Sequence, residues 1–417
     1  MTLSFWNRSR RAVTAGLGLA LLSAAAARAE PVTLAAAVDA AWRKTQAGAA
    51  AQAQQALADA ERQTAASLLA GSPALSLSER SDRWQDNTGV REREIALALP
   101  LWLPGQRSAR LQAAEAESAS AAQAVAAARL TLAGQLRELA WSLSSLKAEA
   151  EGASAQQRYL QTLAADVDRR VKAGDLARTD ALAVDGERLN AQAEAISAQQ
   201  RLQAEQQRWT ALTDLAPDVV ADEPDAGRAA GQEALVDSFD EVRHPQLAQL
   251  ALAEEAARRQ VEVARRDISE APELSLGYRH ERDARGQASR GSVTVGLRVP
   301  FGTDGRNAPL RAAAQGALDK ARAEQARARA ALAADWRIAR DALSVAERQT
   351  AMHRERAALL RQRAALLDKS FRAGETALPD LLLAVQAAAQ ADAALARQLA
   401  AQGNARARLL QASGVMP

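Results

Sequence analysis

Leucines 132, 136, 139, 143 and 146 are spaced four, three, four, three. That is the apolar seam of a helix packed lengthwise on others. The seam lies within Gly105–Lys172, about 68 residues with no proline and with only Gly134 and Gly152 inside. Alanine, leucine, glutamine, glutamate and arginine dominate the stretch, and all are strong helix formers. At 1.5 Å per residue the pattern predicts a rod of roughly 100 Å. Elsewhere the period drops to two. Leu75, Leu77 and Glu79 alternate, as do Ile95, Leu97 and Leu99, around a polar loop at Asp82–Gly89. Leu274, Leu276 and Tyr278 pair in the same way with Val293, Val295, Leu297 and Val299 around Glu281–Ser289. Both sets predict β-hairpins.

Helical patterning also covers Val32–Ala70, with Leu34, Val38, Ala41 and Trp42 on one face, and Asp180–Leu215, Leu235–Ser269, Asn307–Arg372 and Leu378–Ser413. The rod has a copy 200 residues on. Leu99-Pro100 returns as Val299-Pro300, Gly105 as Gly305, Gly174 as Gly374 and Asp180 as Asp380. Pro73–Leu77 returns as Pro272–Leu276, with the offset one residue shorter. One register held over most of the chain predicts two tandem units, each helix, hairpin, long helix, helix. The expected divisions are 1–29, a leader; 30–217, the first unit; 218–234, a linker rich in proline, glycine and acids; and 235–417, the second unit.

Composition narrows the class. Aromatics are 3% of the 417 residues and much of the hydrophobic half is alanine, which suits narrow helix seams rather than one large core. Arg8, Arg10 and Arg11 precede an apolar stretch at 12–27, and Ala27-Arg28-Ala29 fits a cleavage site, so the leader reads as a secretory signal peptide. Its four arginines, against no acids, account for the basicity: without them the net charge falls from +3 to −1. No basic run alternates with aromatics, so nucleic acid is not an expected partner. Cysteine is absent, leaving no disulfide framework and no lipidated cysteine. His244, His280 and His353 are scattered and methionine is scarce, so no metal-ligand cluster is expected. Nucleophile elbow and phosphate-loop motifs are missing too, so neither an enzyme nor a cofactor is expected.

The mature chain has no apolar run of about 20 residues, so a membrane span would have to be a closed β-barrel. Strands of about 8–11 residues have the length of a tilted barrel strand. Four per chain are too few to close one, so several chains must pool them. Three chains give twelve.

This paired order resembles the TolC family of outer-membrane efflux channels. The matching residues are the strand exits Leu99-Pro100 and Val299-Pro300 and the tips Val171–Asp180 and Phe371–Asp380. The resemblance spans about residues 32–414. It implies a mainly α fold with a small β part, as a homotrimer in which an α-helical barrel joins a twelve-stranded transmembrane β-barrel. The protein would sit in the outer membrane of a Gram-negative bacterium, with a long periplasmic helical tunnel closing at the tips. Its partners would be a periplasmic adaptor, an inner-membrane pump of the resistance–nodulation–division (RND) type and outer-membrane lipid. Length and the missing lipidation cysteine are similar to the heavy-metal branch that serves cobalt–zinc–cadmium pumps, so the expected cargo is metal cations, with drugs or other small molecules as the other reading.

Asp380 and Asp180, six residues past the tip glycines, are the periplasmic gate candidates. Three copies of either would make an acidic ring; the plainer role is a first-turn acid favouring the helix dipole. Gly174, Asp175, Gly374 and Glu375 form the tips where an adaptor would dock. Trp102 and Phe301, after the outward strands, are membrane-interface candidates. The alternative is a periplasmic coiled-coil adaptor or structural protein without a pore. An adaptor would carry one helical hairpin between β-rich halves, whereas this chain carries two hairpin–rod units.

Overall fold

A computed structural model describes residues 33–217, 238–301 and 304–417. The expected leader and linker lie outside these residues, as does part of the exit turn after the second hairpin. Helix α1 (Leu34–Lys44) and α2 (Gln46–Ala65) lead into strands β1 (Ala74–Ser81) and β2 (Arg91–Pro100). The long α3 (Gln106–Ala173) and its return α4 (Arg178–Thr213) follow. Then come α5 (Pro245–Arg266), β3 (Glu273–Arg282), β4 (Arg290–Arg298), the long α6 (Asp304–Arg372) and α7 (Leu378–Ala412).

Two helical expectations are corrected. The first helix is broken, because Thr45 takes an extended backbone and its side chain caps Gly48 N–H, which ends α1 and starts α2. The start of the helix expected over Leu235–Ser269 lies outside the described residues; residues 238–244 are not helical, and the helix begins at Pro245, in its first turn. A proline at that position gives up no intrahelical bond, and residues 241–243 before it form a turn.

The sheet is antiparallel in the order β1-β2-β3-β4. The expected apolar alternation lies on one face throughout, with Leu77, Ile95, Tyr278 and Val293 in one row and Leu75, Leu97, Leu276 and Val295 in the next. Pairing runs further toward the hairpin loops than the alternation marked, to Ser81–Arg91 and Arg91–Arg282. In the first loop Asp82 accepts from the Thr88 hydroxyl at 2.5 Å and from Gly89 N–H. The Thr88 bond holds its carboxyl below the usual carboxylate range.

The core is a set of seams around α3. Leu132, Leu136 and Leu143 are buried with Val38, Trp42 and Trp209, and Leu139 and Leu146 pack against them. The end of α7 docks on the same rod. Gly403 leaves the room that the Trp141 ring occupies, which accounts for a glycine in a helix interior, where it costs roughly 1 kcal/mol. Arg137, 2% exposed, donates to Gln411 Oε1 at 2.7 Å and to the Val415 carbonyl at 2.9 Å.

Candidate functional site

The far ends of the rods form two hairpin tips with the same chemistry. α3 stops where Gly174 turns to φ 90°, and α6 is followed by Gly374 at φ 82°. At the first tip Gly174 N–H donates to Val171 O and Asp175 N–H to Arg170 O; at the second, Gly374 N–H donates to Phe371 O and Glu375 N–H to Ser370 O. Each is the left-handed glycine stop that satisfies a helix's last carbonyls. A methyl group on either glycine would meet nothing within 4 Å, so backbone conformation alone requires glycine there and the turns are exposed.

The two gate candidates differ in use. Asp180 Oδ2 accepts from Ala177 N–H at 3.3 Å, capping the start of α4. Asp380 is exposed in the first turn of α7. It lines a groove of about 690 Å³ with Leu359, Arg363, Leu366 and Glu375.

The tips are joined by residues that the sequence pattern did not single out for this role. Arg170 donates to the carbonyls of Phe371 (3.2 Å) and Arg372 (3.5 Å), and its guanidinium lies 5.1 Å from the Phe371 ring centre. Tyr159 donates to Asp368 at 3.1 Å, and Asp368 also pairs with Arg372 at 3.0 Å. Burial and the Asp368 carboxylate push the Tyr159 phenol well above its ordinary value, so it stays a proton donor. Beneath these bonds, Leu160, Leu163 and Val167 of α3 pack with Phe371 and with Leu378, Leu381 and Val385 of α7. Among the described residues neither Asp180 nor Asp380 takes part in a bond between the tips. A signal for Tyr159 did exist, since it is one of only two tyrosines and adjoins an apolar seam. Asp368 had none.

Two further features frame the tips. Ile338, Val345, Met352, Leu359 and Leu366 recur every seven residues along α6 and are 41–66% exposed. Leu182, Leu189 and Ile196 do the same on α4, at 57–66%. α4 packs mainly on α3, and α6 on α5 and α7, so both stripes lie on flanks that no other element among the described residues covers.

At the sheet end, Trp102 donates to Ser67 O at 3.1 Å and lies under the Arg110 guanidinium, while Phe301 is 93% exposed. Among the described residues no three histidine, cysteine or acidic side chains are placed to hold a metal, and no helix is long and apolar enough to cross a membrane.

The fold is a four-stranded antiparallel sheet with one apolar face, set on two long helical rods that end in exposed hairpin tips. The solved structures agree. VceC of Vibrio cholerae matches with a TM-score of 0.69 at 16% identity, over 92% of this chain and 96% of its own. MtrE of Neisseria gonorrhoeae, in its open state, matches at 0.71 and 14%, over 92% and 89%. CusC matches at 0.72 and 14%, over 92% of both chains. No curated protein sequence matches. Residues 241–415 match the family model of the outer membrane efflux proteins. The second half thus carries the sequence pattern of the outer membrane efflux proteins, and nearly the whole chain has the fold of these solved channels.

Proposed function

We propose that the protein works as a passive homotrimeric conduit in a tripartite efflux system. A periplasmic adaptor would dock on its tips, and an inner-membrane RND-type pump would supply energy and selectivity. The observation that carries the trimer is the pair of unpartnered stripes. Counted from its own tip glycine, each stripe holds large apolar residues at 8, 15 and 22 positions: Leu182, Leu189 and Ile196 from Gly174, and Leu366, Leu359 and Met352 from Gly374. α4 and α6 run in opposite directions, so with tips level the α6 stripe of one copy meets the α4 stripe of the next at equal heights. The sheet makes the same demand, because β1 and β4 are open edges and lipid tolerates none. Three copies close twelve strands.

The recurrence of helix, hairpin, long helix, helix, and of the same bonds at both tips, supports reading the chain as two tandem units, 30–217 and 235–417, joined by 218–234 after a leader at 1–29. The Arg170 and Tyr159 bonds hold the closed tip, and opening separates the hairpins. Of the two acidic candidates, Asp380 is the one we assign to the gate ring, because Asp180 is engaged by backbone. Gly174, Asp175, Gly374 and Glu375 are the adaptor contacts, and Trp102 and Phe301 mark the periplasmic boundary of the outer membrane. No catalysis is assigned. The metal-cation cargo rests on chain length and absent cysteine; loss of the protein and its neighbouring pump should sensitise cells to cobalt, zinc or cadmium, and unchanged tolerance would exclude it.

The central test is the state of the mature protein. A heat-modifiable trimer in the outer-membrane fraction that conducts in planar bilayers is expected. A water-soluble monomer would return the reading to a periplasmic adaptor. Asp380→Ala should weaken cation block, and unchanged block would remove Asp380 from the gate.

A further inference from the structure

The apolar face of the sheet changes character abruptly toward the hairpin loops. Its last apolar row is Leu77–Ile95–Tyr278–Val293; the next is Glu79–Arg93–His280–Gly291, and beyond it lies Ser81–Arg91–Arg282. With the Leu99–Leu274–Leu297 row at the helix end, three apolar rows span about 14 Å along the strands. Membrane barrels carry an apolar band about 25 Å tall, so the charged rows come to lie at headgroup level or below it. They hold three arginines and a histidine against one carboxylate. The opposite face at the same height is balanced: Arg279 pairs with Glu92 at 3.0 Å and with Glu94 at 3.2 Å, and Arg80, Glu281 and Arg290 complete it.

The excess sits awkwardly. Arg91 and Arg282 are direct register partners on one face, and like charges so placed destabilise a sheet. Arg91 and Arg93 share Glu79, at 3.7 and 3.2 Å. Arg282 donates to the Gly89 carbonyl at 3.4 Å, and no carboxylate among the described residues is within ion-pair range of it. An anion laid across this face would relieve the repulsion and take charge-assisted bonds from the guanidinium groups.

We propose that Arg91, Arg93 and Arg282, with His280 beside them, form a docking surface on the lipid-facing wall for the phosphates of an outer-leaflet phosphoglycolipid. The inference rests on the outer-membrane barrel reading, which puts the hairpin loops outside.

The test measures the temperature at which purified trimer dissociates in detergent, with increasing lipid A bearing both phosphates. A rise is expected with that lipid, and none with dephosphorylated lipid A or with inorganic phosphate at equal phosphate concentration. Arg91→Ser with Arg282→Ser should need at least tenfold more lipid A for the same rise. An unchanged requirement, or an equal response to the dephosphorylated lipid, overturns the proposal. So does a response to inorganic phosphate alone, which assigns the face to a free anion. If the double variant does not assemble, Arg282→Ser alone leaves both Glu79 ion pairs in place and makes the comparison. Conductance is recorded on the same wild-type preparation. A conducting trimer indifferent to lipid A fails this inference alone; a protein that forms no trimer fails the channel reading and takes this inference with it.

Discussion

α3 and α6 are nearly equal in length, 68 and 69 residues, and end in the same glycine turn. They differ in what covers them. α3 packs on α1, α2, α4, α5 and α7, while α6 packs on α5 and α7. Seventeen residues of α3 are buried against eight of α6. The large apolar side chains of α6 divide between an inner face, with Leu318, Trp336 and Phe371, and the exposed heptad stripe. One rod is the core of the chain. The other carries a seam that is left exposed, and that the proposed trimer would bury against a second copy. A heptad pattern therefore indicates that a helix packs lengthwise, without indicating whether its partner is in the same chain.

The largest expected effects separate these two roles. Leu136 is fully buried in α3, so Leu136→Ala should cost the protomer about 2–5 kcal/mol, read as a lower urea midpoint of its far-ultraviolet dichroism. Leu359→Asp with Leu366→Asp should leave the protomer's helicity intact and abolish the trimer band on unheated gels. A trimer that survives the double substitution would show that the stripe is not an interface. The absence of cysteine sharpens this into a register test. Leu182→Cys with Leu366→Cys should oxidise to a covalent trimer. Ile196→Cys with Leu366→Cys should not, since 14 residues of helix separate the two heights by about 21 Å.

Much of this was legible from spacing. The α3 seam, the alternating strands and the tip glycines each follow from one local rule, and the 200-residue offset ties them together. What spacing hid has a physical reason in each case. Thr45 breaks a helix through a side-chain cap inside an alanine-rich run, where composition favours continuity. The exposed stripe on α6 runs beside alanines that pack inward, so two seams overlap in one sequence. Arg170 is a charge beside a helix end, where solvent is the ordinary partner, yet its long apolar stem lets the guanidinium reach carbonyls of a hairpin 200 residues away. Such a contact exists only once the two tips lie side by side. Asp180 and Asp380 occupy the same place in the pattern, but only one of them caps its helix.

The bonds between the tips set the next effect. Tyr159→Phe removes one hydrogen bond to a carboxylate, worth about 1.5–3 kcal/mol, and Arg170→Ala removes two carbonyl contacts together with the ring contact. Each should raise single-channel conductance or the fraction of time spent open, and the pair together should raise it most. Replacing the surface pair partner Lys172, which holds Asp168 at 2.6 Å on the same helix, should change neither. Conductance equal to wild type in the double variant would show that the apolar contacts of Phe371 and Leu381 alone keep the tips shut.

The smallest expected effect belongs to the junction where α5 meets the end of α7. His244, 1% exposed, precedes α5, and neither ring nitrogen has a hydrogen-bond partner among the described residues. Its ring lies 6.1 Å from that of Phe239. Burial lowers its pKa below the ordinary value of 6.5, so as pH falls the unfolded chain takes up this proton before the folded protein does. The unfolded state therefore binds more protons once pH falls below about 6.5, and stability is lost from there down toward the folded value, at no more than about 1.4 kcal/mol per pH unit. Above pH 7 the group contributes no pH dependence. His244→Gln should flatten the slope of thermal stability between pH 7 and pH 5 while leaving the slope above pH 7 as it was. α3 has no buried histidine, so a Leu136→Ala protein should keep the wild-type slope at its lower stability. An identical acid slope in His244→Gln would place the titration elsewhere.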